Sequence, residues 1–381
     1  MTPEEAKIVL NEEFGNLDSY GNEYLIRDYL GVKTPLETDF MMWFAIRIAA
    51  LQKFEGFEVF KGKLKSKDNI RFEEALSILE IAYTFASASF LISFIPVSNS
   101  KTPDMQLHTG KTDMNVEVTQ IFESNFDNEL NKLRREIQKK VIKFRACYAG
   151  VIRIPVDKYN DIDFVKFTGY DILERLEYNL NAVEQTNKFL TFKIDDVVDF
   201  AIAPKDSGVN SKCVDSDLFT EWIEKKNEEL DGEVKLSAGG IVYYWPKKDI
   251  FNKIMGNIKK QKREQMSYQD KAGILVIVNK YSYSIGMFNN NNNVQYFIQT
   301  FQEYMSNIPE AAIFIFYSQF GGFSNYEIIK TEQHAFISKP FNLAPDSISM
   351  TEQCVIILNK NASGMEMKEI FDSIVDAFET D

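Results

Sequence analysis

The stretch K101-T-P-D-M-Q-L-H-T-G-K-T-D-M-N-V-E-V-T-Q-I121 contains two extended segments separated by a short turn. Asp104 opens the first segment, and Glu117 lies in the middle of the second, between two valines. The turn over residues 108–113 predicts that the segments pair as a hairpin, which brings both carboxylates toward one end of a sheet. An acid inside an apolar strand is costly to bury unless it is paired or binds a metal. The stretch therefore predicts a pair of functional acids on a sheet.

The segments on either side of this hairpin extend the pattern. Residues 69–89 predict a helix, because apolar side chains recur at spacings of three and four, and this helix carries Glu80. An apolar strand follows over residues 90–96. Beyond the hairpin, residues 125–147 predict a second amphipathic helix, and residues 149–156 a buried strand. The predicted succession is α-β-β-β-α-β.

In this order the segments resemble the PD-(D/E)XK nuclease superfamily, whose members have the restriction-endonuclease-like fold. The resemblance covers roughly residues 72–156 and rests on Glu80, on Thr102-Pro103-Asp104 and on Val116-Glu117-Val118. It implies an α/β fold with a mixed sheet core flanked by helices, and a metal-dependent phosphodiesterase activity. The chain departs from the family at Thr119, which stands where the family carries a lysine.

The chemistry of these residues favours Mg²⁺ or Mn²⁺ as the cofactor. Hard cations prefer oxygen ligands, and Mg²⁺ is usually held by one or two carboxylates together with substrate phosphates. Side chains alternate along a strand, so Glu117 and Thr119 face the same way. The expected ligands are Asp104, Glu117 and the carbonyl of Val118, with Glu80 as an outer ligand or the holder of a bound water.

A lysine from the following helix is a candidate to replace the missing strand lysine. Lys139, Lys140 and Lys143 all lie on the helix that comes directly after the acid-bearing strand. If one of them acts in this way, its ammonium is expected within reach of Glu117. For any single one of them, a solvated helix face is the better interpretation.

Positive charge is concentrated in two segments, residues 132–145 and 247–263, of a chain with a net charge of −13. These segments could line a groove that follows a nucleic-acid backbone, since phosphate contacts need Lys and Arg. Alternatively, they are exposed helix faces that neutralise the acidic residues 221–231. The candidates for nucleic-acid contact are Lys132, Arg135, Lys143, Lys259 and Lys260. Gln261 and Gln265 are further candidates close to the site.

Composition limits the number of domains, the class of protein and its expected location. The chain has 381 residues, enough for one large or two modest domains, and its acidic balance argues against a protein that coats nucleic acid. Cys147, Cys213 and Cys354 form no C-x-x-C pair and predict no disulfide framework, so we expect a cytoplasmic protein. The N-terminus has no signal-peptide pattern, and no apolar run is long enough for a membrane span.

We expect four regions along the chain. Residues 1–66 form an N-terminal helical region, with a loop or short hairpin over residues 54–67. Residues 67–156 form the nuclease-like core, residues 157–235 an insertion or peripheral lobe, and residues 236–381 a C-terminal α/β region.

Two functions follow as hypotheses. The first is a divalent-metal-dependent endonuclease that acts on DNA or RNA, with DNA as the favoured partner. The alternative is a degenerate nuclease-fold protein that binds nucleic acid or protein, which Thr119 and the net charge of −13 support. His108 is expected in the hairpin turn and facing solvent, and homo-oligomerisation is left open.

Overall fold

The computed structural model of the chain describes residues 1–15, 26, 35–96, 102–121, 125–158, 161–205, 213–230, 236–244, 265–266, 268–279, 298–299, 302–303, 310–321, 326–341, 350–362 and 365–380. The chain divides into two compact units. The main unit comprises Met1–Phe122, Met255–Tyr281 and Met287–Asp381. The inserted unit comprises Glu123–Ile254 and Ser282–Gly286. Both units combine helices with a mixed sheet, so the protein is of the mixed α/β class.

The main unit is built on an eight-stranded sheet. Its helices are α1 (Pro3–Phe14), α2 (Pro35–Leu51), α3 (Phe57–Lys63), α4 (Asn69–Ser87) and α8 (Met365–Thr380). Its strands are β1 (Leu91–Phe94), β2 (Met105–His108), β3 (Asp113–Ile121), β8 (Ala272–Asn279), β9 (Ala311–Gly321), β10 (Glu327–Lys330), β11 (His334–Phe341) and β12 (Met350–Leu358). The strand order is β1-β2-β3-β8-β9-β12-β11-β10. β3, β8 and β9 run parallel, and the other neighbours are antiparallel.

The predicted hairpin of β2 and β3 is confirmed. Met105 lies opposite Val116, and His108 opposite Asp113. The turn closes through a hydrogen bond from the Thr109 N–H to the Thr112 carbonyl, 3.1 Å long. Gly110 takes φ +79° in this turn, a left-handed conformation that glycine adopts without steric cost.

The two faces of β3 have different roles. Met114, Val116 and Val118 face the apolar core that α1, α2, α4 and α8 share with the sheet. Because side chains alternate along a strand, Asn115, Glu117 and Thr119 point to the opposite face. This alternation, expected from the sequence, fixes the direction in which the candidate acid Glu117 points.

The inserted unit has its own four-stranded sheet. Its strands are β4 (Ala146–Arg153), β5 (Leu190–Ile194), β6 (Val198–Pro204) and β7 (Ile241–Tyr244), in the order β5-β6-β4-β7. Its helices are α5 (Asn125–Lys143), α6 (Ile162–Thr186) and α7 (Ser216–Glu229). The apolar stripe of α5 packs with α6 and the sheet in one core, and α7 covers a second, smaller core.

The expected single α-β-β-β-α-β core is not what the structure shows. The strand predicted after α5 is β4, which pairs with β6 and β7 in the sheet of the inserted unit. The partner of β3 is instead β8, and the parallel pairing runs over eight residue pairs from Met114–Ala272 to Ile121–Asn279. The position next to β3 is thus filled by a strand that lies about 150 residues further along the chain.

Two smaller expectations were also wrong. Residues 57–63 of the expected loop form α3, because Phe57 and Phe60 are buried against Phe94. Cys147 and Cys213, expected to be reduced, form a disulfide between β4 and the segment that follows β6. Cys354 is a buried free thiol. Across the described residues, no helix combines the length and the apolar character that crossing a membrane requires.

Candidate functional site

Asp104 and Glu117 line one cavity of about 690 Å³. Asp104 immediately precedes β2, and its N–H donates to the Val116 carbonyl at 3.2 Å. Continuing the register of the hairpin by one residue brings Asp104 beside Glu117, and opposed residues of an antiparallel pair share a face. Glu117 is only 2% exposed. The structure therefore brings these two acids together in the wall of one cavity.

The Asp104 carboxylate has two partners. Its Oδ2 accepts a hydrogen bond from the Val118 N–H at 3.1 Å, in the part of β3 that extends past the start of β2. Its Oδ1 lies 3.1 Å from the Nζ of Lys63. The Asp104 carboxylate thus accepts the hydrogen bond of a β3 N–H that has no partner on β2. It also forms an ion pair with Lys63.

Lys63 is the cationic residue that the sequence analysis missed. It is the last residue of α3, a helix held against β1 by the stacking of Phe60 on Phe94, with ring centroids 4.5 Å apart. Gly56 begins this helix with φ +76°, and a Cβ there would lie 2.0 Å from the Phe94 carbonyl oxygen. Only glycine permits so close an approach. The local sequence therefore fixes α3, and with it the position of Lys63.

The cavity wall is polar on one side and apolar on the other. Its charged side chains are those of Lys63, Arg71, Glu74, Asp104 and Glu117. Thr102, Ser66 and Gln265 add neutral polar groups, while Val59, Phe60, Ala75, Ile78 and Ile95 supply the apolar part. Three acids face two cations, so the wall has a small excess of negative charge. Such a wall suits a cation bound together with an anionic group.

Glu80 is not part of this site. Its helix α4 contributes Arg71, Glu74, Ala75 and Ile78 to the cavity wall, but Glu80 does not line the cavity. The Tyr317 hydroxyl donates to Glu80 Oε1 at 3.0 Å. Burial, followed by the nearby carboxylates of Glu352 and Glu80, raises the pKa of Tyr317 well above its ordinary value. The expected metal role of Glu80 is thus replaced by a hydrogen bond to a tyrosine that stays protonated.

The two residues that follow Val118 do not bring a cation to the site. Thr119 lies on the same face as Glu117 and is half-buried, but the cavity does not reach it. Gln120 faces α4, where its Oε1 accepts a hydrogen bond from the Ser77 hydroxyl at 2.6 Å. The positive charge next to the acids comes from Lys63 on α3, not from β3 itself.

The helix lysines expected near Glu117 belong to the inserted unit. Lys139, Lys140 and Lys143 lie on α5, where Lys140 forms an ion pair with Glu177 of α6. Lys132 and Arg135 are on the same helix, and Lys132 lies 3.7 Å from Glu129. Lys259, Lys260 and Gln261 lie outside the described residues, whereas Gln265 lines the cavity as expected for a residue near the site.

A serine, a histidine and an aspartate also meet at the far end of the hairpin. His108 Nε2 lies 2.9 Å from the Ser93 hydroxyl, and His108 Nδ1 lies 2.7 Å from Asp113. The hydrogen bond from His108 and a second one from Lys271 hold the pKa of Asp113 below its usual range. The Ser93 hydroxyl is also 3.4 Å from the Glu55 carboxylate, and none of the three residues lines the cavity. His108 is thus half-buried in β2 and does not lie in a solvent-facing turn. We infer that the group of Ser93, His108 and Asp113 stabilises the hairpin.

The donor set fits a single hard cation. Within the part of the chain that the structure describes, no three His, Cys, Asp or Glu side chains are grouped to hold a metal. Magnesium, however, is commonly held by only one or two carboxylates, with waters and substrate phosphates as the other ligands. Asp104 and Glu117 provide two carboxylates in a cavity that has room for such ligands.

Comparison with known proteins gives no match. No family model, no curated protein and no solved structure is similar to this chain. Any assignment of function therefore depends on the residues and geometry described above.

Proposed function

We propose that the protein is a divalent-metal-dependent phosphodiesterase that cleaves nucleic acid, with Asp104 and Glu117 as ligands of Mg²⁺ or Mn²⁺. The observation that carries this proposal is the meeting of these two acids in one cavity whose wall also contains Lys63 and Arg71. Carboxylates suit the metal, and the cations suit the phosphate of a nucleic-acid backbone. The part of the resemblance to the PD-(D/E)XK superfamily that concerns Thr102-Pro103-Asp104 and Val116-Glu117-Val118 supports the same reaction.

Asp104 and Glu117 have the role of metal ligands in the proposed reaction. A divalent ion held by Asp104 and Glu117 would lower the pKa of a coordinated water and neutralise charge on the phosphate. Asp104 is held in place by the Val118 N–H, and Glu117 by its position in the middle of β3. A water would add to phosphorus and lose one proton to solvent, the bond to the leaving sugar oxygen would break, and that oxygen would take a proton from solvent. Preorganised charges of this kind commonly contribute a factor of about 10²–10³ in rate per group.

One observation favours a binding protein without catalysis. Both oxygens of Asp104 already have partners, the Val118 N–H and Lys63, and Thr119 offers no cation. Asp104 could then serve only to complete the sheet edge, and the cavity could hold a phosphate or an acidic peptide without cleaving it.

Metal titration separates the two functions. We expect calorimetric titration with Mn²⁺ to show binding in the wild type and its loss in Glu117→Gln and Asp104→Asn. Glu58→Gln, an exposed acid on α3, serves as the matched control and should bind Mn²⁺ like the wild type. Cleavage of single- and double-stranded DNA and RNA should follow the same pattern with Mg²⁺ or Mn²⁺. Cleavage that persists in Glu117→Gln would contradict the proposal, and absence of Mn²⁺ binding in the wild type would favour the binding protein.

A further inference from the structure

Lys63 is placed where a phosphate bound at the acid pair would meet a positive charge. Its ammonium lies 3.1 Å from Asp104, and about a third of its side chain is exposed to the cavity mouth and solvent. A lysine that is only partly buried can reorient toward a ligand, since its four-carbon stem is flexible. The helix that carries it is held by aromatic packing against Phe94, which places Lys63 in the wall of this cavity.

Lys63 shares the cavity wall with a second cation. Asp104 and Glu117 are adjacent acids of this wall, and Lys63 forms an ion pair with Asp104. Arg71, on α4, lines the same cavity from another direction and is exposed. Two cations on separate helices can contact different oxygens of one phosphate from two directions.

We infer that Lys63 is the phosphate-contacting cation of this site and supplies the charge that Thr119 lacks. Arg71 is its partner at the cavity mouth. This inference rests on the proposed function, but it concerns a different group and a different measurement. It assigns the cationic role to α3, a segment that lies before the acids in the sequence, and not to β3 or α5.

A purely structural role for Lys63 predicts a different outcome. In that case Lys63 only neutralises Asp104, and its replacement would release Asp104 for a metal without harming phosphate binding. Both roles predict Mn²⁺ binding that is equal or a few times tighter in Lys63→Met, because a competing cation is removed. The affinity for a phosphodiester, however, should fall only if Lys63 contacts phosphate.

The test compares Lys63→Met with Lys65→Met. Lys65 is two residues away, and its ammonium lies over the ring of Phe14, 5.6 Å from the centroid, so it is a matched control. The probe is a fluorescent single-stranded oligonucleotide with Ca²⁺ in place of Mg²⁺, measured by fluorescence anisotropy. We expect Lys63→Met to weaken binding about tenfold, as the loss of a charge-assisted phosphate contact does, with Lys63→Arg close to the wild type and Lys65→Met unchanged. Cleavage with Mg²⁺ should fall about 100-fold in Lys63→Met, and Thr119→Lys in that background should restore part of it.

The outcomes separate this inference from the proposed function. Oligonucleotide binding by Lys63→Met within twofold of the wild type would overturn the inference, even if Mn²⁺ binding still depends on Glu117. Weakened binding in Lys63→Met supports it, even if no variant cleaves and the protein proves to be a binding protein. A thermal melt of each variant excludes unfolding as the cause of a loss.

Discussion

The two units of the protein differ in the surroundings of their buried acids. In the inserted unit, Asp199 lies among three cations, with Arg153 at 2.6 Å, Lys226 at 3.1 Å and Lys193 at 3.2 Å. In the main unit, Asp104 forms an ion pair with Lys63 and lines a cavity together with Glu117. Burial alone would raise the pKa of Asp199, but hydrogen bonds from Arg153 and Lys226 outweigh it and lower the pKa. A buried acid is thus a sign of function only where a ligand can reach it.

The largest effect that follows from this comparison concerns Asp199. Asp199→Ala leaves the buried ammonium of Lys226 with Glu229 as its remaining partner. Breaking a buried ion pair from one side typically costs about 3–5 kcal/mol, so we expect the free energy of unfolding to fall by that amount. Chemical denaturation measures the change, and hydrogen exchange should locate it in β6 and α7.

The same residue makes a prediction about pH. Since the pKa of Asp199 is lower in the folded chain, its contribution to stability is present above the unfolded value of about 3.9 and is lost as pH falls through the folded pKa. The free energy of unfolding of Asp199→Ala should therefore fall less than that of the wild type as the pH is lowered. Lys193→Met, which removes an exposed partner, should cost less than about 1 kcal/mol. An equal loss in both variants would mean that the buried cluster is not the stabilising feature.

The disulfide of the inserted unit should have the next largest effect. It closes a loop of 66 residues between Cys147 and Cys213. Removing such a crosslink typically costs about 2–4 kcal/mol, mainly by freeing the unfolded chain. We expect Cys147→Ser with Cys213→Ser to lower the denaturation midpoint, and a reductant to lower that of the wild type equally. Cys354→Ser is the control for thiol chemistry, and an unchanged midpoint in the double variant would show that the bond does not form.

The smallest effect is expected in the main unit and has the opposite sign. Glu117→Gln keeps the shape of the side chain but removes one of two adjacent negative charges. Sites shaped for function are often improved in stability when their charge is removed, by about 1 kcal/mol. We therefore expect this variant to be slightly more stable while it loses Mn²⁺ binding, and Glu58→Gln to change little. If Glu117→Gln is less stable than the wild type, Glu117 stabilises the fold, as Asp199 does.

The acid pair could be predicted from the sequence because its geometry is local. The hairpin turn and the alternation of side chains along residues 113–121 place Asp104 and Glu117 on one face without reference to the rest of the chain. The prediction for Glu80 depends on its order in the resemblance alone, and order does not show in which direction a side chain of the helix points.

The cation and the sheet order could not be predicted because they depend on distant contacts. Lys63 reaches Asp104 only because Phe57 and Phe60 pack on Phe94, a tertiary contact that leaves no periodic pattern in so short a helix. β8 is an apolar strand with no local feature that marks β3 as its neighbour. The cysteines of the disulfide are likewise 66 residues apart.

The parallel pairing of β3 with β8 also has a consequence for biosynthesis. When β3 leaves the ribosome, its partner is still about 150 residues away, and at roughly 5–20 residues per second that delay lasts on the order of 8–30 s. During this interval the inserted unit can complete its own sheet, whereas the backbone groups along one side of β3 have no strand to pair with. A nascent chain arrested before residue 272 should therefore show a protease-resistant inserted unit and a β3 segment that is open to chaperones. β3, which carries Glu117, is thus synthesised early in translation, but it can pair with β8 only late in translation.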